Sequence, residues 1–148
     1  MCAEVDRLVL CARLSGGVYL CQQCGYFGGD ILAFGAGYDT RVARESQFRV
    51  VETDVVTGNY GTNDTPKGAY SIIYKASPAT LMNNSHVTFW LPFTSDACGI
   101  HDASWRSSWE YGGTRYKGHG SHGCVNTPYN AAKKIYNNIS SGTRVVVY

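Results

Sequence analysis

The stretch Gly120–Asn126 reads GSHGCVN, and the interpretation of the whole 148-residue chain depends on it. Cys124 follows Gly123 in a turn directly ahead of a predicted helix, so its thiol is a candidate nucleophile. Neighbouring imidazoles and the positive end of a helix favour the thiolate, the reactive form of cysteine. The alternative is a small buried side chain, the usual role of a free cysteine. Gly123 supports the interpretation of Cys124 as a nucleophile, because glycine permits unusual backbone angles that bring N–H groups close to a bound carbonyl oxygen.

Four histidines compete for the role of general base. His101 follows an apolar residue and precedes an aspartate, so we expect it to end a strand and face a cleft. His122 is two residues from Cys124, whereas His86 falls on the polar face of a predicted strand and His119 lies in a glycine-rich loop. A zinc site made of His101, His119, His122 and Cys124 is a further alternative, although their spacing is not typical of structural zinc.

The chain from residue 48 onward has the pattern of β-structure. Val87, Phe89, Leu91 and Phe93 alternate with polar or bulky residues, a period of two that predicts one buried strand face. Four strands are predicted, at 48–56, 69–74, 86–93 and 144–148. Glycines interrupt every period in residues 7–47, so no element is predicted there.

A single helix is predicted after the cysteine. Thr127 is the expected cap, Pro128 suits the first helical position, and Ser140–Gly142 ends the helix. Its apolar stripe consists of Tyr129, Ala132, Ile135 and Ile139. Residues 106–120, rich in glycine and aromatic residues, are predicted to form a long functional loop.

Composition excludes several classes of function. Thirteen Lys and Arg against eleven Asp and Glu give no basic block for nucleic acid. The sequence contains no run of 18 apolar residues, the length that a membrane-spanning helix needs. The pair Cys21 and Cys24 forms an isolated CxxC without a second pair at zinc-finger spacing, so it is weak evidence for metal or redox chemistry.

Several ordered motifs together resemble the L,D-transpeptidases of the YkuD type, which remodel bacterial peptidoglycan. That family has a histidine, a spacer, and then Ser/Thr-His-Gly-Cys-x-Asn; here His101 is followed, after 19 residues, by Ser121–Asn126. The other matching segments are Thr57-Gly58, Thr65–Tyr70, Trp90–Phe93 and Gly99–Ala103. The resemblance covers about residues 50–148. It implies a mostly-β domain, a β-sandwich of mixed sheets with one short helix following the catalytic cysteine.

The resemblance also implies residue roles. Cys124 is the expected nucleophile and His101 its base, while His122 and Gly123 shape the turn and, with Cys124, offer N–H groups to an oxyanion. Six other residues are expected to support this site or bind substrate: Ser121, Asn126, Asp102, Trp105, Trp90 and Tyr116. Ser121 and Asn126 would hold the turn, and Asp102 would orient His101 through its backbone or its carboxylate. Core packing is the simpler role for most aromatic residues, with Trp105 the exception.

The implied reaction is acyl transfer without a metal or cofactor. Cys124 would attack the carbonyl carbon of the third residue of a tetrapeptide stem, D-Ala would leave, and a side-chain amine of a neighbouring stem would resolve the thioester as a 3→3 cross-link. Water in place of the amine would make the enzyme an L,D-carboxypeptidase, and a catalytically weak wall-binding module is another alternative. Peptidoglycan stem peptides and carbapenem β-lactams are the expected partners.

The start of the chain departs from the family. Residues 1–49 match it poorly and are interpreted as inserted or disrupted first strands, ahead of a catalytic core at residues 50–148. The candidate start Glu4–Asp6 lies about 40 residues too early. A peptidoglycan enzyme acts outside the membrane, in the wall or periplasm, and this sequence has no export signal. We therefore expect the chain to be part of a longer protein whose N-terminal anchor provides its membrane contact.

Overall fold

A computed structural model describes residues 51–96 and 98–147 with their side chains, together with the backbone of residues 7–11, 19–21, 25–27, 31–35 and 49–50. The described strands are β1 Arg7–Cys11, β2 Tyr19–Cys21, β3 Gly25–Phe27, β4 Ile31–Gly35, β5 Arg49–Asp54, β6 Gly68–Ser71, β7 Ala79–Thr80, β8 His86–Val87, β9 Trp90–Pro92, β10 Gly99–Asp102, β11 Val125–Thr127 and β12 Arg144–Val147. Both larger sheets contain parallel and antiparallel pairs. The predicted mostly-β class with mixed sheets is therefore confirmed.

The larger sheet has five strands in the order β5-β1-β4-β12-β6. β12 runs parallel to β4 and antiparallel to β6, and β1 is antiparallel to both β4 and β5. β1 and β4 belong to the segment in which no element was predicted. Their pairing partners β5 and β12 come from distant parts of the sequence, so the local residue pattern did not reveal them.

The smaller sheet carries the candidate site and has the order β11-β10-β9. β10 is antiparallel to β9 and parallel to β11, with Ile100 beside Val125 and His101 beside Asn126. Because side chains alternate between the faces of a strand, His101 and Asn126 lie on the same face as the residue preceding Val125, which is Cys124.

One ten-residue helix, Tyr129–Asn138, follows β11 and buries Ala132 and Ile135. This confirms the predicted helix, but the predicted cap is wrong. Thr127 still belongs to β11, where its Oγ1 donates to the Val125 carbonyl, and Pro128 occupies the cap position. Only short helical pieces, Ser108–Glu110 and Tyr116–His119, interrupt the predicted long loop. No helix in the described part of the chain is long and apolar enough to cross a membrane.

The alternating segment at 86–93 buries its predicted face. Val87, Phe89, Leu91 and Phe93 are all at least 92% inaccessible to solvent. The segment is nevertheless two strands, β8 and β9, because the N–H groups of Thr88 and Phe89 turn to the Asp102 carboxylate, at 2.9 and 2.7 Å. The core beneath the site contains Ile72, Leu91, Phe93, Ile100, Val125, Ile135 and Val145.

Candidate active site

His101 is buried on β10 with its imidazole fixed on several sides. Its Nδ1 donates to the backbone carbonyl of Asp102 at 2.9 Å, and the ring lies 5.9 Å from the Trp90 ring and 5.7 Å from the Trp105 ring, centroid to centroid. Burial lowers the pKa of His101, and the nearby Arg106 guanidinium lowers it further, against the raising effect of the Asp102 hydrogen bond. The imidazole is therefore neutral at pH 7, as a general base must be.

Asn126 links this imidazole to a cation. With the amide oriented so that both of its ends are satisfied, Nδ2 donates to His101 Nε2 at 3.2 Å, and Oδ1 accepts from Arg106 Nε at 2.8 Å and Nη2 at 3.3 Å. Since a carbonyl only accepts, Nδ1 of His101 carries the ring proton and Nε2 presents its lone pair. Nε2 is thus the ring nitrogen that can accept a proton, and it does so once its lone pair is released from the Asn126 amide.

Cys124 lies half-buried at the end of the glycine turn, one residue before β11. Burial raises its pKa to about 11, a hydrogen bond with the Gly99 backbone acts in the opposite direction, and the neighbouring Cys98 and Asp96 raise it further. The expectation of a thiolate favoured by a helix end is wrong, because β11 separates Cys124 from the helix and desolvation dominates. The resting thiol is neutral and needs a base.

Backbone and hydroxyl contacts hold the turn around Cys124. Ser121 Oγ donates to the Cys124 carbonyl and accepts from the Gly123 N–H at 3.1 Å. Thr65 Oγ1 donates to the Gly123 carbonyl at 2.8 Å and accepts from the Gly58 N–H at 2.9 Å. Gly123 has a φ of +118°, a left-handed conformation that requires glycine. Since its N–H is already engaged by Ser121, Gly123 does not serve as the predicted oxyanion donor.

The candidate residues line a cavity of about 940 Å³, the upper part of the range for small-molecule sites. The predicted residues in its wall are His101, Cys124, His122, Ser121, Asn126, Trp105 and Trp90. Trp105 is half-exposed and Trp90 is buried, its Nε1 donating to the Tyr74 hydroxyl at 3.2 Å. The structure thus brings the two expected catalytic side chains to one space.

Other predicted residues lie elsewhere or act differently. Tyr116 is buried and does not line this cavity, and its ring lies edge-on to Tyr60 at 6.3 Å, so its contact with substrate stays a prediction. The Asp102 carboxylate binds the N–H groups of residues 88 and 89, and Asp102 orients His101 through its backbone carbonyl instead. Asn126 contacts His101 and Arg106 and does not hold the turn through its side chain.

The zinc alternative is not supported. Within residues 51–96 and 98–147, no three His, Cys, Asp or Glu side chains come together as a group able to hold a metal. His86 and His119 are both exposed, the first as predicted, and His86 Nδ1 lies 3.1 Å from Thr80 Oγ1. Cys98 and Cys124 both carry thiols that are not joined in a disulfide. Cys24 and Glu4–Asp6 lie outside the described residues, and only the backbone of Cys21 is described.

Sequence reasoning missed several site residues. Thr65 was noted only as the start of the matching segment Thr65–Tyr70, yet its buried hydroxyl joins Gly58 to Gly123. Arg106 gave no signal beyond being one of four charged residues in the predicted loop. Tyr74 and the Leu81–Asn83 segment also line the cavity, which their sequence did not indicate.

Comparisons with known proteins agree with this geometry. The family model for the YkuD L,D-transpeptidase catalytic domain matches residues 37–147. A mutant of the Enterococcus faecium L,D-transpeptidase is 32% identical, with a TM-score of 0.64, and the match covers 79% of this chain and 45% of that one. Among curated proteins, none matches the chain significantly.

Two further solved structures are similar. The catalytic domain of the E. faecium L,D-transpeptidase acylated by ertapenem is 31% identical, with a TM-score of 0.59. The match covers 79% of this chain and 88% of that domain. An L,D-transpeptidase from Mycobacterium smegmatis is 20% identical over 70% of this chain and 51% of its own, with a TM-score of 0.58, which shows a shared fold. The present chain spans less than half of the first two matched chains, 44% and 45% of their lengths. Because the family model matches residues 37–147, well over half of the sequence, the chain belongs to the YkuD family of L,D-transpeptidase catalytic domains.

Proposed function

We propose that this chain contains the catalytic core of a peptidoglycan L,D-transpeptidase that forms 3→3 cross-links through an acyl-enzyme on Cys124. The observation that carries the proposal is the placement of Cys124 and His101 on one face of neighbouring parallel segments, at the wall of one cavity. The resemblance of the chain to an E. faecium domain acylated by ertapenem supports acyl-transfer chemistry in this cavity.

Acylation begins from a neutral pair. His101 Nε2 takes the Cys124 proton as the sulfur attacks the carbonyl carbon of the third stem residue, and the N–H groups of His122 and Cys124 stay the predicted oxyanion donors. The protonated imidazole then gives its proton to the nitrogen of the terminal D-Ala, the amide bond breaks, and a thioester remains. The lowered pKa of His101 suits the return of this proton.

Deacylation runs the same proton path in reverse. The side-chain amine of a second stem attacks the thioester carbonyl, His101 Nε2 accepts a proton from that amine, and Cys124 leaves as a thiol. If water attacks instead, the product is a shortened stem, which is the L,D-carboxypeptidase reaction. Both outcomes use the same residues, so the acceptor decides between them.

The remaining expectations form part of the proposal. The catalytic core spans residues 50–148, and the segment 1–49 is an insertion or disruption of the first strands of the family. Peptidoglycan stem peptides are the substrates and carbapenems the covalent inhibitors. Because peptidoglycan lies outside the cytoplasmic membrane, the enzyme works in the wall or periplasm.

The test is intact-mass spectrometry after addition of ertapenem to the wild-type protein, Cys124→Ala and Cys98→Ala. Cys98 is a matched control, because it is also a half-buried thiol in the same cavity wall. We expect one adduct on the wild type and on Cys98→Ala, and none on Cys124→Ala.

An adduct that persists in Cys124→Ala contradicts the nucleophile assignment. Incubation with a disaccharide-tetrapeptide then separates the two reactions: cross-linked dimers identify the transpeptidase, whereas shortened monomers alone identify the carboxypeptidase. Binding of peptidoglycan with neither product would favour the wall-binding module.

A further inference from the structure

Arg106 is the one Lys or Arg side chain among the described residues that line the cavity. It lies in the turn after β10, where its N–H donates to the Ala103 carbonyl at 3.0 Å, and it is half-buried. Its guanidinium donates to the His119 carbonyl at 3.0 Å and to Asn126 Oδ1 at 2.8 Å, both of them neutral acceptors.

The positive charge of Arg106 is therefore not neutralised by any carboxylate among the described residues. A guanidinium is always protonated, and because Nε and Nη2 are engaged by Asn126 and His119, Nη1 is the atom whose N–H groups are directed to a carboxylate ligand. A half-buried cation at the wall of a cavity favours an anionic ligand in that cavity, because partial desolvation strengthens the attraction between them.

The position of Arg106 identifies which part of a substrate it meets. Asn126 bridges Arg106 to His101 Nε2, the nitrogen that returns a proton to the leaving amine. In the proposed reaction that amine belongs to the terminal D-Ala, whose carboxylate is only two bonds of about 1.5 Å further on. The leaving group thus brings its negative charge to the side of His101 on which Arg106 lies.

A negative charge also lines the cavity, near the two thiols. Asp96 lines the cavity close enough to Cys98 and Cys124 to raise the pKa of both thiols. An anionic stem terminus is repelled from that side and attracted to Arg106, so the two charges define one direction for the donor peptide.

We propose that Arg106 binds the terminal carboxylate of the donor stem and selects donors that end in a free carboxylate next to the scissile bond. This inference rests on the proposed function and adds to it a residue that decides donor specificity. Arg106 binds the leaving residue directly, whereas its contact with Asn126 also supports the His101 environment.

The experiment compares two donors that differ in charge alone: a tetrapeptide stem ending in D-Ala and the same stem ending in D-alaninamide. Release of D-Ala or D-alaninamide is measured as kcat/KM for the wild-type protein, Arg106→Gln, Arg106→Lys and the control Arg115→Gln. Arg115 lies against the Trp109 ring, 5.0 Å from its centroid, and does not line the cavity.

We expect the wild type and Arg115→Gln to prefer the acid over the amide by on the order of tenfold to a hundredfold, the usual contribution of hydrogen bonds to a charged group. In Arg106→Gln the ratio of kcat/KM for the acid donor to that for the amide donor falls close to one, mainly because kcat/KM for the acid donor decreases. Arg106→Lys keeps part of the preference, because it keeps the positive charge but loses the directed N–H groups of the guanidinium.

A purely structural role gives a different result. If Arg106→Gln slows both donors equally and leaves the ratio unchanged, Arg106 only supports Asn126 and the inference is wrong. A wild-type protein that uses both donors equally also contradicts the inference while leaving the proposed function intact. A wild-type protein that releases product from neither donor contradicts the proposed function itself and removes the basis of the inference.

Discussion

His101 and Cys124 lie on one face of the same small sheet, yet the chain holds them by different means. His101 is fixed through its side chain by near neighbours: Asp102 receives Nδ1, and Trp105 lies against the ring. Cys124 is fixed through the backbone of its turn, which depends on Thr65 and on other residues about 60 positions earlier. The base is thus held largely by its sequence neighbours, with Trp90 and Asn126 added by the fold, whereas the geometry of the nucleophile depends mainly on distant segments.

The largest effect is expected from removing the base. His101→Gln should lower the rate of acylation by ertapenem by about 10²–10⁴-fold, the usual contribution of general-base catalysis, with little change in stability. Its residual rate should rise with pH toward the thiol pKa of about 11, because only the thiolate then reacts. Stopped-flow or mass-resolved acylation kinetics measure both quantities.

His86→Gln is the matched control for the base, because His86 is exposed on β8, away from the cavity wall. Its acylation rate should equal that of the wild type. If His101→Gln instead reacts at the wild-type rate at pH 7, another group removes the thiol proton and the proposed pair is wrong.

An intermediate effect is expected from loosening the turn. Thr65→Val removes the hydroxyl that joins Gly58 to Gly123 and leaves buried polar groups without partners, at a cost of about 1–3 kcal/mol in the free energy of unfolding. Acylation should slow as well, whereas the pH at which the rate rises should stay unchanged because His101 is not touched.

Urea denaturation and acylation kinetics of Thr65→Val, with exposed Thr114→Val as control, measure these effects. Wild-type stability and an unchanged rate in Thr65→Val would mean that the turn does not depend on the distant segment. The contrast between local and distant support would then be lost.

The smallest effect concerns the thiol alone. The folded protein holds the pKa of Cys124 at about 11, above its ordinary value of 9.0, so the unfolded chain loses this proton first as pH rises. The stability contributed by the neutral thiol is complete below pH 9 and declines between pH 9 and 11, by about 1 kcal/mol at pH 10.

Urea denaturation at pH 8 and pH 10 measures this decline, with Cys124→Ala as the reference that lacks the thiol. The wild type should lose more stability than the variant over this interval. Equal losses would show that Cys124 ionises as readily in the folded protein as in the unfolded chain.

The contrast between contacts close in sequence and contacts between distant segments also explains which features could be predicted from the sequence. The strands at 49–54 and 144–147, the helix after the cysteine and the pairing of His101 with Cys124 follow from short periodic patterns and ordered motifs. The N-terminal strands β1 and β4 carried no periodic signal, since they are defined by pairing with distant β5 and β12.

The finer geometry of the site was less accessible to sequence reasoning. The Thr65 hydroxyl and the Arg106 guanidinium act through tertiary contacts that no spacing predicts. The ionisation of Cys124 was predicted with the wrong sign, because a sequence shows neighbouring imidazoles but not the desolvation that dominates the pKa.

The backbone pairing of the turn has a consequence for protein engineering. Val56 exchanges two hydrogen bonds with Asn126, Ser121 donates to the Thr57 carbonyl, and Asn59 donates to the Ser121 carbonyl, all at 2.9 Å. A side chain at Gly58 would overlap the backbone of Asn63, so this second segment tolerates little change. Grafting the hexapeptide Ser121–Asn126 onto another scaffold would therefore transfer the sequence of the motif without its backbone conformation. The smallest transplantable unit also includes residues 55–65.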